Sequence, residues 1–226
     1  MQSIVSDRLS RVIERIDKAA RRAGRNPQDI TLVAVTKTIP FDAVQPLLLA
    51  GIRNVGENRV QEALGKYAKP DGGKQVDATV HLIGQLQSNK ARKAVALFDM
   101  IQSIDRLDLA EDVNRHAAAM GKSMPCLVEV KISPEATKSG IEPERLPELL
   151  AQMAALKSLA VRGLMGIAPL GGTAAEARPF FARLRRLAEQ ARLPVLSMGM
   201  SGDFEAAIEE GATMVRVGAA LFGPRV

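Results

Sequence analysis

Short apolar runs alternate with longer stretches of helical periodicity along almost the whole chain. The first stretch, about residues 3–23, puts Ile4, Leu9, Val12, Ile13 and Ile16 on one stripe and stops at Gly24 and Pro27, a combination that ends helices. A β-branched apolar run follows at 30–37, then a helix opened by Pro40 and Asp42 that continues through Leu49 and stops at Gly51. The same rhythm predicts strands at 53–56, 80–84, 100–104, 127–132, 161–167, 195–198 and 213–217. Helices fall between them at 59–67, 89–98, 107–120, 144–156, 173–191 and 204–210. Runs of this length with little charge suit strands buried on both faces of a parallel sheet.

That gives eight strands, each followed by a helix, although the segment after the last strand, 219–223, is short. Alternating βα units imply parallel strands joined by right-handed crossovers. Eight units in 226 residues predict an α/β fold, a (β/α)8 TIM barrel. Residues 1–226 form one barrel domain in this reading, with residues 1–24 as an extra N-terminal helix packed on it. An open doubly wound sheet is the competitor, but the glycine fingerprint it favours after its first strand is absent.

Composition narrows the classes. Aromatic residues are 3% of the chain, so the core rests on Leu, Val, Ile, Ala and Met. The net charge of +6 invites a nucleic-acid reading. The densest basic clusters, Arg21 with Arg22 and Arg183 with Arg185 and Arg186, sit on amphipathic helical patterns, and exposed aromatics for base stacking are missing. Cys126 is the one cysteine, which excludes an intrachain disulfide and a multi-Cys zinc site, and its apolar run predicts a buried, inert thiol. The N-terminal residues are charged where a signal peptide is apolar, and no run approaches the ~20 residues of a membrane span. A cytoplasmic location is expected. No Gly-x-Ser-x-Gly elbow, Walker loop or metal cluster is present.

A barrel gathers its chemistry at the C-terminal ends of its strands. Read in turn, these ends are Lys37, Asn58, Gly84 with Gln85, Ser103, Lys131, Met165 with Gly166, Ser201 and Gly218. Lys37 closes the first strand, on the same face as Val33 and Val35. An amine partly withdrawn from water there is suited to form a Schiff base with an aldehyde. After strands seven and eight, Ser201-Gly202-Asp203 and Gly218-Ala219-Ala220 open short helices, with Arg216 as a planar donor. Backbone amides at such ends suit a phosphate. An aldehyde and a phosphate on one small molecule point to pyridoxal 5′-phosphate (PLP). His81 lies within strand three and reads as a satisfied core group or a base, and His116 reads as helix surface.

The stretches ITLVAVTKTIP (30–40), NVGENRVQEA (54–63), HLIGQLQSNKAR (81–92), SIDR (103–106), TKSG (137–140), RGLMGIAP (162–169) and LSMGMSGDFEAAIEEGATMVRVGAALFG (196–223) resemble the pyridoxal phosphate homeostasis protein family in order. That family is similar to the barrel of alanine racemase, a fold-type III PLP arrangement, without the racemase's second domain. The resemblance implies that Lys37 carries PLP as a Schiff base. It also implies that Ser201, Gly202, Arg216 and Gly218 hold the phosphate edge, and that Asn58 and His81 stand beside the ring. It implies a monomeric carrier and buffer of PLP that serves PLP-dependent apo-enzymes, with no established catalysis, no catalytic residue and no metal. Arg216 is left open between phosphate and pyridine nitrogen.

Three residue arguments run beside this. The one tyrosine, Tyr67, is expected on the far side from a strand end, where it cannot be a second base. No carboxylate is evident at a late strand end to serve the pyridine nitrogen, and a barrel without a covering domain excludes water poorly. The alternatives are a single-domain PLP-dependent amino-acid racemase and a barrel for another phosphorylated metabolite. Lys90, Lys131 and Lys138 read as solvated lysines or as a secondary aldehyde site.

Overall fold

The computed structural model describes residues 2–70, 73–135, 139–169 and 171–223. Its strands are β1 (Thr31–Val35), β2 (Asn54–Glu57), β3 (Thr79–Leu82), β4 (Met100–Ile104), β5 (Met124–Glu129), β6 (Leu159–Met165), β7 (Val195–Ser197) and β8 (Met214–Val217). They pair in parallel and in chain order, and β8 returns to β1 with Leu32 opposite Val215 and Val33 opposite Arg216. The helices are α1 (Gln2–Arg22), α2 (Phe41–Leu49), α3 (Val60–Tyr67), α4 (Ala91–Leu97), α5 (Leu107–Ala119), α6 (Leu146–Met153), α7 (Ala174–Ala191), α8 (Phe204–Glu209) and α9 (Ala219–Phe222). The expected TIM barrel is the fold observed.

Two strand ends differ from the pattern-based reading. β1 stops at Val35, so Lys37 lies in a turn beyond the strand rather than in it. β5 runs from Met124 to Glu129, about three residues earlier than expected. The apolar run continues past Glu129, but Val130 there bridges to Ile141 outside the strand, which ends the regular ladder. Apolar character alone does not mark where pairing stops.

The main apolar core lies between sheet and helices. Ala34, Val55, Val80, Ile101, Val128, Leu164, Leu196 and Val215 present the outer face of the strands to residues such as Leu47, Ala94, Val113, Leu184 and Ile208. α1 adds Leu9, Val12, Ile16, Ala19 and Ala20. Ile13 was expected on that stripe but is 51% exposed, because it sits about 100° around the helix from Val12, at the stripe's margin. The side chain of Ile4 falls outside the described residues. α8 draws basic residues from its neighbours: Arg15 reaches Glu205 at 2.8 Å, Arg22 reaches Glu209 at 2.7 Å, and Arg178 reaches Glu209 and Glu210. Much of the basic surplus on α1 and α7 is therefore paired locally.

The lumen of the barrel carries a chain of buried polar side chains. The His81 ring nitrogens lie 3.0 Å from Asn54 Oδ1 and 3.0 Å from Gln102 Nε2. Ser197 Oγ donates to Gln102 Oε1 at 2.6 Å and accepts from Arg216 Nη1 at 2.7 Å. Five strands are thus joined from β2 to β8, and each buried group finds a partner, as interior polar groups must. A Gln102 amide that donates to Nδ1 requires a neutral His81, and burial accordingly pulls the imidazole down to about 4.

Two predictions follow from this packing. A Cβ at Gly163 would lie 1.9 Å from the Val195 carbonyl oxygen, where β6 and β7 approach. Overpacking of a core at this level costs ~3 kcal/mol or more. Gly163→Ala is expected to lose that much stability in urea denaturation or to fail to fold. For His81, the folded state resists a proton that the unfolded chain takes up near pH 6.5. Its contribution is therefore intact above about pH 6.5 and lost as pH falls toward 4, by ~3 kcal/mol at most. Denaturation of His81→Gln beside the parent across that range is expected to show a flatter acid limb.

Candidate functional site

The C-terminal mouth of the barrel opens on a cavity of about 440 Å³. Its apolar lining is Val35, Ile83, Ile167 and Met200, and its polar lining includes Lys37, Asn58, Ser201 and Arg216. Gly202, Gly218 and Ala219 contribute backbone. The structure thus gathers six of the seven residues singled out from the sequence: Lys37, Asn58, Ser201, Gly202, Arg216 and Gly218. His81 is the exception. It is 1% exposed, in the lumen chain, and does not line the cavity. Its imidazole is occupied at both nitrogens within the lumen chain, away from the cavity wall.

Lys37 is the second residue of a turn that the Ile39 amide closes on the Thr36 carbonyl at 3.0 Å. The third residue, Thr38, has a φ of 63°, where turns normally place glycine. For a β-branched residue this backbone costs about 1–2 kcal/mol. The Thr38 hydroxyl donates to the Lys37 carbonyl at 2.6 Å, which holds part of the bend locally. Alternation along β1 still governs direction, because Val35 and Lys37 both face the cavity.

Tyr67 lies elsewhere than expected. It ends α3, but its ring is fully buried and its hydroxyl lies 2.8 Å from Thr36 Oγ1, directly beside the strand end. Burial pushes the phenol upward, and the neighbouring Glu57 and Glu62 charges add to that shift. Tyr67 does not line the cavity. Glu57 and Lys66, which the sequence reading passed over, join it: Lys66 Nζ meets Glu57 Oε1 at 2.6 Å. Burial raises the Glu57 carboxyl, while hydrogen bonds from Lys66 and Thr36 oppose the shift. The signal lay in the period of α3, since Glu62 and Lys66 are i,i+4 neighbours on one face.

On the opposite wall, Asp203 Oδ1 accepts the Met200 amide at 2.5 Å and shapes the 200–203 turn. Ser201 Oγ accepts the Gly218 and Ala220 amides, each at 3.2 Å, and so ties the β7 loop to the start of α9. Its hydroxyl proton remains available to a ligand. Gly202 and Ala219 line the cavity, and their amides have no acceptor among the described residues. A Cβ built at Gly202 meets no protein atom within 4 Å, so the space there is left open.

Arg216 is 4% exposed, donates to Ser197 Oγ and, at 3.0 Å, to the Gly166 carbonyl. Burial pulls its guanidinium down to about 10, against the charges of Glu129 and Asp203, so it stays a cation at neutral pH. A smaller cavity of about 200 Å³ adjoins the first and shares Asn58, Ile83 and Ile167 with it. Glu129 and Lys131 line it. Burial and the Asp105 charge push the Glu129 carboxyl up to about 7, partly countered by Arg216. Glu129 was missed because β5 was read too late in the chain. Lys131 is engaged by Glu142 at 2.8 Å, Lys90 does not line either cavity, and Lys138 lies outside the described residues. The same holds for Thr137, so only part of the 137–140 motif is described.

Residues 8–226 match the family described as alanine racemase, N-terminal domain. The pyridoxal phosphate homeostasis protein of Aquifex aeolicus is 43% identical over 225 residues, covering 97% of each chain. That of Pseudomonas aeruginosa is also 43% identical, over 99% of this chain and 96% of its own. Among solved structures, PipY of Synechococcus elongatus with PLP bound matches with a TM-score of 0.81 at 41% identity, over 97% of this chain and 100% of that one. Alanine racemase of Clostridium difficile matches with a TM-score of 0.73 at 13% identity, a likeness of fold alone, and this chain spans 56% of its length. By fold, by length and by residue identity, the chain belongs to the alanine racemase N-terminal domain family and, within it, to the pyridoxal phosphate homeostasis proteins.

Proposed function

We propose that this chain binds PLP through Lys37 and that its work is to hold and buffer the cofactor. The observation that carries this reading is the shared cavity. One wall presents a lysine, and another presents two backbone amides without protein acceptors beside a glycine whose missing Cβ leaves room. A wall of that kind suits a phosphate, and a lysine across the cavity suits an aldehyde on the same molecule. A volume of about 440 Å³ is within the range of cofactor pockets. The residues present therefore fit PLP, and a relative of 41% identity is solved with PLP bound.

When bound, PLP supplies an electrophilic carbonyl carbon for amines and an electron-withdrawing ring. The chain's own groups divide the remaining work. Lys37 Nζ would hold the aldehyde carbon, while the Gly202 and Ala219 amides and the Ser201 hydroxyl would donate to the phosphate. Arg216, fixed in plane by Ser197 and Gly166, would offer its remaining N–H groups to the cofactor. Val35, Ile83 and Ile167 exclude water from part of the rim.

Holding is favoured over turnover by the inventory of proton-carrying groups. Among the described residues, Lys37 and Arg216 are the titratable side chains lining this cavity, and a guanidinium does not act as a base at neutral pH. Racemisation needs a second base, and Tyr67 is buried with its hydroxyl on Thr36. Transfer of the held cofactor to apo-enzymes by a monomeric cytoplasmic protein belongs to the same proposal.

The test is borohydride reduction of the protein after incubation with PLP, followed by peptide mapping by mass. A single pyridoxyl adduct on the Lys37 peptide is expected, with loss of that adduct in Lys37→Ala. Adducts scattered over surface lysines would overturn the reading. Gly202→Val is expected to weaken PLP binding about tenfold, by filling the phosphate space, with its melting temperature near that of the parent.

A further inference from the structure

The chain on either side of Lys37 is gripped by side chains from β2 and α3. The Thr36 carbonyl accepts Lys66 Nζ at 2.7 Å in addition to the turn-closing Ile39 amide. The Thr38 amide donates to Glu62 Oε1 at 2.5 Å. Thr36 Oγ1 donates to Glu57 Oε1 at 2.7 Å, and Lys66 bridges Glu57 at 2.6 Å to Glu62 at 3.0 Å. The residues before and after Lys37 are thereby tied into one closed ring of hydrogen bonds. Lys66 is 8% exposed and Thr36 and Glu57 are 0% exposed, so water does not compete for most of these bonds.

The ring has something to hold. Thr38 occupies a left-handed backbone conformation that a β-branched residue does not adopt unaided. Without the Glu62 carboxylate the Thr38 amide loses its acceptor, and the strained turn can relax. Any relaxation there rotates the Cα of Lys37, and with it the direction of the amine. Lys66 itself does not line the cavity, and its Nζ is engaged by three acceptors, Thr36 O, Glu57 Oε1 and Glu62 Oε1.

We propose that Glu57, Glu62 and Lys66 are positioning residues, which aim Lys37 into the cavity by holding its turn in a strained conformation and do not themselves touch the cofactor. This rests on the reading of Lys37 as the PLP lysine. A cluster that merely fastened α3 to the sheet would support folding and leave the reactivity of Lys37 unchanged once the chain is folded.

Glu62 is the residue to change first, because its side chain is 26% exposed and its loss strips the fewest buried partners. The measurements are PLP affinity, the fraction of Lys37 trapped by borohydride, and the melting temperature, all at a temperature where every variant is folded. Glu62→Ala is expected to weaken PLP binding at Lys37 about tenfold and to lower the trapped fraction, whereas Glu62→Gln, which keeps an acceptor oxygen, stays near the parent. Thr38→Gly in the Glu62→Ala background is expected to restore trapping, since glycine takes positive φ without being held. Lys66→Met, read where circular dichroism shows it folded, is expected to follow Glu62→Ala. Parental trapping in folded Glu62→Ala would overturn the proposal. So would a double variant that regains melting temperature without regaining trapping at Lys37. Failure of the parent itself to label Lys37 would instead strike the PLP reading, so the two ideas fail separately.

Discussion

The pairing of β8 with β1 is the contact on which the site depends. Lys37 and the 216–219 segment stand at nearly opposite ends of the chain, and only closure of the sheet makes them neighbours. The register fixes the detail: Val33 sits opposite Arg216 and Ala34 opposite Val217, so the turn after β1 and the turn into α9 emerge side by side. Parallel pairing also sends every strand's C-terminal end to one face. An open sheet of the same strands would leave two edges and would put Lys37 and the 216–219 segment at different ends of a ridge.

Closure creates a lumen, and this lumen is filled partly with polar groups. The chain from Asn54 through His81, Gln102 and Ser197 to Arg216 is more demanding than an apolar filling, because each member must be satisfied or it destabilises the fold. What it accomplishes is orientation. Ser197 donates toward Gln102, so its oxygen faces Arg216 as an acceptor, and the guanidinium plane is set by that bond and by Gly166. A flexible arginine would spend much of its binding energy on ordering itself. A guanidinium fixed in advance does not.

The sequence carried the layers of this design unevenly. Eight βα units were legible because strand and helix periods differ, and the charge of Lys37 stood out because it closes an apolar run. The amides after β7 and β8 were legible through Gly202 and Gly218. Pairing limits were not: nothing in the run from Cys126 to Ile132 shows that the ladder ends at Glu129, and a carboxylate at the mouth went unread for that reason. Tyr67 was misplaced for another reason, and so was His81 in the resemblance-based reading that set it beside the ring, though not in its reading as a satisfied core group. Helix and strand periodicity says which face a side chain is on but not how far it reaches, and both meet partners on distant strands or turns. Glu57 and Lys66 look like ordinary polar positions until Thr36 is seen between them.

The likeness to alanine racemase at 13% identity is one of fold alone, so function must be argued from the groups at the mouth. Two lysines make the point. Lys37 and Lys66 both meet the turn after β1, yet one faces the cavity while the other is caged by Thr36, Glu57 and Glu62. Glu129 adds a carboxyl pushed up to about 7 in an adjoining space that shares Asn58, Ile83 and Ile167 with the main cavity. A barrel that combines one cavity-facing amine, an arginine charged at neutral pH and donors for an anion has what is needed to bind an aldehyde phosphate reversibly. Proton exchange at a substrate carbon needs a second base on the same cavity. Here the Tyr67 phenol does not line that cavity, and its hydroxyl lies 2.8 Å from Thr36 Oγ1 instead.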